Sequence, residues 1–229
     1  MTKTVVVAID GPAGAGKSTV ARSVASKLGY VYINTGAMYR AVALWAVRLG
    51  FDLDDHIKMT QLAENAKIAF APGSTSVLLN GEDVSSAILD PAISEAASKV
   101  SAIPGVRRAM VEEQRRIAEG MPVVMEGRDI GTIVFPDAAI KIFLDADVQV
   151  RAERRTKELE QRGVAADLEE IATQIAERDL RDATRVESPM VQAADAVYVD
   201  SSGLAPDEVD EAILRIVRQR LSNGKETCR

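Results

Sequence analysis

Residues 5–18 read VVVAIDGPAGAGKS, and this stretch decides the fold. The β-branched run from Val5 to Ile9 is typical of a buried strand, and the segment from Ser18 to Leu28 suits a helix that ends before Gly29. Between them, a glycine, four residues and Gly-Lys-Ser follow the spacing of a phosphate-binding loop, or P-loop. The sequence therefore predicts a strand, a loop and a helix that together bind a nucleoside triphosphate.

The P-loop offers the phosphates two kinds of group. Its glycines allow backbone amides to curl around phosphate oxygens at the positive end of the helix. Lys17 is expected to reach the β- and γ-phosphates, and the Ser18 hydroxyl is expected to ligate Mg²⁺. A glycine-rich turn without a ligand is the alternative interpretation. The predicted ATP-binding residues of the loop are Gly11, Pro12, Ala13, Gly14, Ala15, Gly16, Lys17, Ser18 and Thr19.

The length suits a single α/β domain with insertions, 1–229, that needs no disulfide to hold it together; two small domains are the alternative. The one cysteine, Cys228, has no partner for an internal disulfide, which favours a reducing, cytoplasmic setting. A net charge of −6 argues against broad binding to nucleic acid, and no apolar stretch approaches the length of a membrane span. Of the 19 arginines, 12 lie between Arg107 and Arg185. This cluster predicts a phosphate clamp, with solvated helix faces as the alternative.

Four more apolar runs, at 30–33, 122–125, 139–144 and 196–199, alternate with helical patterns. They predict an α/β fold of the three-layer P-loop NTPase type, with a five-stranded parallel sheet between helices. The core of this fold is expected to comprise about residues 1–35, 107–147 and 186–221. Ligands of such sheets bind beyond the carboxyl ends of the strands. Those ends are predicted to carry the P-loop, Asn34-Thr35, Glu126 to Asp129, and Asp145.

The segment of about residues 36–106 is predicted to be an insert with a small antiparallel sheet. Its first helix is expected at about 37–49, capped by Thr35, with Arg40 in the first turn. A cation there is unfavourable unless an anion binds beside it, although a plain surface arginine is the alternative. Short strands follow between residues 67 and 84, with turns at Pro72-Gly73 and Asn80-Gly81. Helices are then expected at 88–102 and 106–118.

The segment of about residues 148–185 is predicted to be a helical lid that closes over phosphates. It contains two helical stretches, at 148–162 and 168–184, and each brings several arginines to one face. The arginines on one face form a stripe and repel each other. A bound polyphosphate would neutralise this repulsion; solvent and neighbouring acidic side chains are the alternative. The stripes consist of Arg151, Arg154 and Arg155, and of Arg178, Arg181, Asp182 and Arg185.

Two further observations narrow the class of protein. The sequence has no Asn-Lys-x-Asp tetrad, which a GTPase would use to recognise guanine. The segment Glu126-Gly127-Arg128-Asp129 places an arginine where it can meet a second anion. An enzyme that transfers phosphate between two small substrates explains this second anion site. A catalytically silent nucleotide-binding protein is the alternative, and it would not need the site.

The chain resembles the cytidylate kinases of the nucleoside monophosphate kinase superfamily, from Val7 to about Val217. The resemblance rests on IDGPAGAGKST (9–19), NTGAMYRAVAL (34–44), EGRDIGTIVFPDAAIKIFLDA (126–146), and RDLRDATR with SPM (178–190). The run GRDIGTIVFPDA together with a β-meander insert is the most specific part. Asn34 stands where the family more usually has Asp, and Glu126 stands where Asp is frequent.

The resemblance implies roles for particular residues. Arg40 and Arg128 would hold the phosphate of CMP, and Asp129 would recognise the cytosine ring with Ser98 and Arg107. The implied CMP-binding set is Thr35, Arg40, Ser98, Arg107, Arg128, Asp129, Arg178, Asp182 and Arg185. The implied catalytic residues are Lys17, Arg128, Arg154 and Arg155, and the lid adds Arg151, Arg154 and Arg155 to the ATP site. The metal would be held by Ser18 and, through water, by Glu126.

The implied activity is transfer of the γ-phosphoryl group of ATP·Mg²⁺ to CMP or dCMP, in line and in a closed site. No general base is required, because the attacking phosphate oxygen is already anionic. A cytoplasmic monomer with no nucleic-acid or membrane partner is expected. Another small-molecule P-loop kinase, such as a uridylate/cytidylate, shikimate or dephospho-coenzyme A kinase, is the alternative.

Overall fold

A computed structural model describes residues 4–70, 76–161 and 163–226, the last four of these through the backbone alone. Within these residues eight strands and eight helices follow one another. The strands are β1 (Val6–Asp10), β2 (Val31–Asn34), β3 (Ile68–Phe70), β4 (Val77–Leu79), β5 (Glu82–Asp83), β6 (Val123–Gly127), β7 (Ile140–Asp145) and β8 (Val197–Asp200). The helices are α1 (Lys17–Leu28), α2 (Thr35–Arg48), α3 (His56–Asn65), α4 (Pro91–Val100), α5 (Pro104–Ile117), α6 (Val148–Gln161), α7 (Leu168–Thr184) and α8 (Pro206–Glu226).

The predicted five-stranded parallel sheet is confirmed. Its strand order is β2-β6-β1-β7-β8, and every neighbouring pair is parallel. The register pairs Asp10 with Gly127 and Asn34 with Glu126, so the carboxyl ends of β1, β2 and β6 lie side by side. These ends carry the P-loop and the segment that begins at Arg128, as the sequence predicts.

Both faces of the sheet are covered by apolar side chains. On one face, α1 and α8 pack over a core that includes Val24, Ile142 and Ile213. On the other face, α2 to α5 pack over a second core that includes Met38 and Met125. The antiparallel sheet β3-β4-β5 belongs to this second core through Ile68 of β3 and through Val77 and Leu79 of β4. The predicted insert therefore packs directly on the main sheet.

Some local predictions are wrong. Thr35 does not cap α2: the cap is Asn34, whose side chain accepts a hydrogen bond from the Ala37 amide at 2.9 Å. The helix predicted at 88–102 is divided, because Asp90 caps a new helix at Pro91 after a short 3-10 turn. Helix α8 continues to Glu226, beyond the predicted end of the core at about residue 221. The predicted Pro72-Gly73 turn, Arg162 and Cys228 lie outside the described residues.

Helices α6 and α7 pack against each other beyond the carboxyl end of the sheet, and we call this pair the lid. Helix α7 spans the predicted 168–184 and is capped by Asp167, whose carboxylate accepts from the Glu170 amide at 2.9 Å. None of the helices in the described ranges combines the length and apolarity needed to cross a bilayer.

Candidate active site

The P-loop lies closely against the neighbouring strand end. A side chain at Gly11 would place its Cβ atom 1.9 Å from the Leu144 carbonyl oxygen, so only glycine fits this position. Lys17 is buried at the start of α1, and its Nζ atom donates to the Pro12 carbonyl at 2.5 Å. Burial, followed by repulsion from Arg128, lowers the pKa of Lys17 to about 7. An anion bound in the loop would offset both the burial and the repulsion and would raise the pKa of Lys17.

A carboxylate and two hydroxyls meet beside the P-loop. Glu126, at the end of β6, is buried and accepts a hydrogen bond from the Ser18 hydroxyl at 3.0 Å. The Tyr32 hydroxyl donates to the other oxygen of the same carboxylate, and burial followed by Glu126 raises the Tyr32 pKa. Asn34 donates to the Tyr32 hydroxyl at 3.3 Å. Oxygen donors of this kind suit Mg²⁺, which binds one or two carboxylate or hydroxyl groups together with substrate phosphates.

The described residues contain no group of three or more His, Cys, Asp or Glu side chains that could hold a metal by itself. Ser18 and Glu126 suit the Mg²⁺ ion that the P-loop sequence implies. The Ser18 hydroxyl supplies a neutral oxygen, and the adjacent Glu126 carboxylate supplies a charged one. Thr19 is exposed in the first turn of α1, next to this pair.

A second cationic cluster, formed by Arg40, Arg128 and Arg178, lies near Lys17 of the P-loop. The half-buried Arg40 has its Nε atom buried with no hydrogen-bond partner in the described structure. Burial, followed by repulsion from Arg128, lowers the pKa of Arg178 to about 10. Arg178 and Arg40 also repel each other. Cations gathered in a partly desolvated site favour an anion, so the cluster has the character of a phosphate site.

Asp182 of α7 holds part of this cluster in place. Its carboxylate accepts from the Arg128 Nε atom at 3.0 Å and from the Arg185 Nη1 atom at 3.0 Å. Burial opposes its ionisation, but Arg128, Arg185 and Arg178 outweigh burial and keep the pKa of Asp182 below its usual value. The lid is thereby joined to the end of β6.

Asp129 lies in a buried polar pocket beside the second cluster. Its Oδ2 atom accepts from the Arg107 Nη2 atom at 2.7 Å, and its Oδ1 atom lies 3.9 Å from the Arg185 Nη2 atom. Arg107 also donates to the Ser101 carbonyl at 3.2 Å and lies over the Tyr39 ring. The Oδ1 atom of Asp129 is thus available to a ligand that can donate a hydrogen bond.

Two other residues predicted to bind CMP, Ser98 and Thr35, are connected to this region through backbone carbonyls. Ser98 is half-buried on α4, and its carbonyl accepts from the Ser101 hydroxyl at 3.0 Å. Thr35 is buried, and its hydroxyl donates to the Glu126 carbonyl at 2.7 Å. Ser98 is therefore linked to Arg107 through Ser101, whereas Thr35 supports the strand end that carries Arg128.

The three arginines predicted to share one face of α6 have different environments. Arg151 is buried, donates to the Ala13 carbonyl of the P-loop at 3.0 Å, and forms an ion pair with Asp179 of α7. Arg154 donates to the Ser201 carbonyl at 2.7 Å, at the end of β8. Arg155 is half-buried and pairs with Glu158 at 2.8 Å on its own helix. Arg151 and Arg154 therefore also bond backbone carbonyls outside the lid, whereas Arg155 bonds a carboxylate of its own helix.

Sequence reasoning missed three residues of this site. Asp10 accepts hydrogen bonds from two backbone amides that follow Asp129, Tyr32 bonds Glu126, and the buried Ser201 receives Arg154. Asp10 could have been noticed as an acid at the end of an apolar strand. Tyr32 and Ser201 give no signal in the sequence, because their partners are remote along the chain.

A P-loop that faces a separate cationic cluster across the ends of β1 and β6 makes this chain a P-loop kinase. A family model described as cytidylate kinase matches residues 7–219. The chain therefore belongs to the cytidylate kinase family. It is 57% identical to a cytidylate kinase of Solibacter usitatus, over 98% of this chain and 97% of the relative. It is 49% identical to a cytidylate kinase of Pelotomaculum thermopropionicum, over 96% of both chains.

The fold is also found in solved structures of low sequence identity. A gluconokinase from Sinorhizobium meliloti superimposes with a TM-score of 0.52, at 16% identity, over 99% of this chain and 98% of the gluconokinase. Identity at this level shows the shared fold alone. The family match, rather than the fold, separates this chain from the other small-molecule P-loop kinases.

Proposed function

We propose that this chain is a cytidylate kinase that transfers the γ-phosphoryl group of ATP to CMP or dCMP, yielding ADP and CDP or dCDP. The observation that carries the proposal is the buried Asp129 carboxylate, held by Arg107 with one oxygen left to accept a hydrogen bond. The N4 amino group of cytosine can donate to that oxygen, whereas the O4 atom of uracil would repel it. A pocket built around such a bond can reject the wrong base strongly.

The donor nucleotide would occupy the P-loop. Lys17 would contact the β- and γ-phosphates and exchange its bond to the Pro12 carbonyl for phosphate oxygens. The backbone amides of Gly11 and of residues 13–16, the Ser18 hydroxyl and Thr19 would surround the remaining phosphate oxygens. Mg²⁺, when bound by Ser18 and through water by Glu126, would neutralise charge on the triphosphate. Arg151 would support the loop from behind through the Ala13 carbonyl.

The acceptor nucleotide would lie between the insert (residues 36–106) and the core. Arg40 and Arg128 would bind its phosphate: the Arg40 Nε atom is buried with no hydrogen-bond partner in the described structure, and Arg128, which Asp182 holds, repels the nearby Arg178. Arg178 would contact the sugar. Asp182 would contact the sugar, and Arg185 would reach the base or the phosphate from its place beside Asp129. Ser98 and Thr35 would complete the pocket from α4 and α2.

The reaction would require positioning and charge stabilisation only. An anionic phosphate oxygen of CMP would form a bond to the γ-phosphorus of ATP while the bond from that phosphorus to the β,γ-bridging oxygen breaks. Lys17 and Arg128, with Arg155 of the lid, would stabilise the charge on the transferred group. Closure of the lid would exclude water, which would otherwise accept the phosphoryl group. A monomer in the cytoplasm, without a nucleic-acid or membrane partner, is the setting that we propose.

A coupled assay of ADP release tests this function. The chain is incubated with ATP and Mg²⁺ and with CMP, dCMP, UMP, AMP or shikimate in turn. We expect rapid ADP release with CMP or dCMP and slow release with the other acceptors or with none. Asp129→Ala should remove the preference for cytosine, whereas Asp137→Ala, an exposed acid in the same segment, should not. ADP release that is independent of CMP would overturn the proposal.

A further inference from the structure

Asp129 occupies a position at which an aspartate side chain normally caps a helical turn. It is the capping residue of the single π-helical turn Ile130–Val134 that follows β6, yet its carboxylate makes no capping hydrogen bond. Aspartate is favoured at such positions because its carboxylate accepts from the amides of the turn. Here that carboxylate points to Arg107 instead. The amides at the start of the turn must therefore be satisfied by another group.

Asp10 supplies the missing acceptor from the adjacent strand. Its Oδ1 atom accepts from the Ile130 amide at 2.8 Å, and its Oδ2 atom accepts from the Gly131 amide at 2.7 Å. Asp10 is the last residue of β1, pairs in register with Gly127, and immediately precedes the first glycine of the P-loop. One buried carboxylate is thus bonded to the base-recognition segment and covalently attached to the phosphate-binding loop.

We propose that Asp10 is a positioning residue that caps the turn after Asp129, which leaves the Asp129 carboxylate free to recognise the base and fixes the acceptor segment to the P-loop. This inference rests on the proposed function, since it gives Asp129 the role of recognising cytosine. Asp10 itself would touch neither substrate. Its contribution would come from the direction in which Asp129 points.

The packing around Asp10 indicates a specific bond rather than an accidental contact. A Cβ atom at Gly131 would lie 3.3 Å from the Asp10 Oδ2 atom and 3.2 Å from the Lys141 side chain, so a larger residue would push the amide away from the carboxylate. Asp10 is 5% exposed, and burial raises its pKa to about 6 despite the two amide bonds. Burial of a carboxylate costs free energy. Its retention here, bonded to an amide 120 residues away in the sequence, indicates a structural role.

If Asp10 could no longer accept from both amides, those amides could bond to the nearby Asp129 carboxylate instead. Asp129 is at the correct position to cap its own turn. A carboxylate drawn toward the amides of Ile130 and Gly131 would leave Arg107. The base pocket would then lose its acceptor, while the P-loop would keep its lysine and its own amides.

Steady-state kinetics of Asp10→Asn test the proposal. The amide keeps one acceptor oxygen but turns an NH2 group toward a backbone amide, so one of the two bonds is lost. We expect kcat/KM for CMP to fall about 10- to 100-fold, the range of a lost charge-assisted hydrogen bond. The loss with UMP should be much smaller, so the preference for CMP over UMP narrows, and KM for ATP should change less than about twofold. Asp200→Asn, at the equivalent end of β8 with a carboxylate that accepts from the Ser202 amide, is the matched control and should behave as the unmodified enzyme.

An unchanged preference for CMP over UMP, or equal losses for CMP and ATP, would overturn the inference. Because the variant can fail to fold, a second measurement uses the unmodified protein labelled with ¹³C and ¹⁵N. Scalar couplings across the hydrogen bonds from the amides of Ile130 and Gly131 to the Asp10 carboxyl carbon should be detectable by NMR, and their absence would also contradict the cap. If the unmodified enzyme does not phosphorylate CMP at all, the proposed function fails, whereas the couplings would still report on the cap.

Discussion

Arg128 and Asp182 lie 3.0 Å apart, from the guanidinium Nε atom to the carboxylate Oδ2 atom, and their bond links the end of β6 to the lid helix α7. The same carboxylate receives Arg185. Its low pKa means that it is ionised throughout the physiological range and stabilises the closed arrangement of charges. One carboxylate thus holds Arg128 and Arg185 together.

Asp182→Asn should weaken CMP binding more than ATP binding. The amide cannot neutralise Arg128, Arg178 and Arg185, so their mutual repulsion would move α7 away from the core. We expect KM for CMP to rise about 10- to 100-fold, with a change of less than about threefold for ATP. Glu177→Gln removes the same charge from an exposed position on the same helix and should have little effect. Equal kinetics for the two variants would contradict the role of Asp182.

Arg40→Met should raise KM for CMP by about 100-fold, because a desolvated guanidinium contributes strongly to phosphate binding. Arg48→Met is the control on the same helix. Arg48 is exposed and pairs with Glu82 at the surface, so its loss should change either KM less than about twofold. Isothermal titration with CMP alone measures the two affinities directly. A phosphate site without Arg40 would give similar affinities for both variants.

The lowered pKa of Lys17 predicts that ATP binding weakens as the pH rises. In the free protein its pKa is about 7, so it is largely neutral at higher pH, and the bound triphosphate would raise that pKa. Binding must then take up a proton, and ATP affinity should fall by up to about tenfold per pH unit from about pH 7 to about pH 9. Calorimetry in buffers of different ionisation enthalpy measures the uptake. Lys17→Arg, whose side chain stays charged, should bind with no uptake in this range. Uptake that persists in Lys17→Arg would assign the proton to another group.

Arg154 and Arg155 are neighbours in sequence but should differ in effect. Arg155→Met should lower kcat about 10- to 100-fold with little change in thermal stability, because its guanidinium pairs only within the lid. Arg154→Met should mainly lower the melting temperature, by about 2–6 °C, because it removes bonds that join α6 to Ser201. Single-turnover kinetics and thermal denaturation separate the two outcomes. A larger loss of kcat in Arg154→Met would place that arginine, rather than Arg155, at the transferred group.

Much of the fold could be predicted because its signals are local. The apolar runs of the five parallel strands, the P-loop spacing and the Leu168–Thr184 helix are each contained in one short stretch. The ends of the parallel strands then bring the P-loop and Arg128 to one edge, as general rules of such sheets require. The prediction that Arg40 lies in a first helical turn is wrong, because α2 begins at Thr35 and Arg40 is its sixth residue.

What could not be predicted depends on partners that only tertiary structure supplies. Helical spacing places Arg151, Arg154 and Arg155 on one face, but it does not reveal that Asp179, Ser201 and Glu158 receive them separately. Thr35 and Asn34 are both good capping residues, and the bond from Thr35 to the Glu126 carbonyl decided between them. The cap that Asp10 provides crosses 120 residues and has no counterpart in any local pattern.

The apolar side chains of the insert share one continuous core with a face of the main sheet. Ile68, Leu79 and Val106 of residues 36–106 pack in the same cluster as Met125 of β6. This arrangement limits how the fold can be recombined. A nucleotide-recognition insert transplanted into another P-loop kinase would bring its own half of an interface, and the recipient sheet would need matching side chains on that face. Changes of acceptor specificity should therefore be easier to obtain by replacing individual pocket residues than by exchanging the segment as a module.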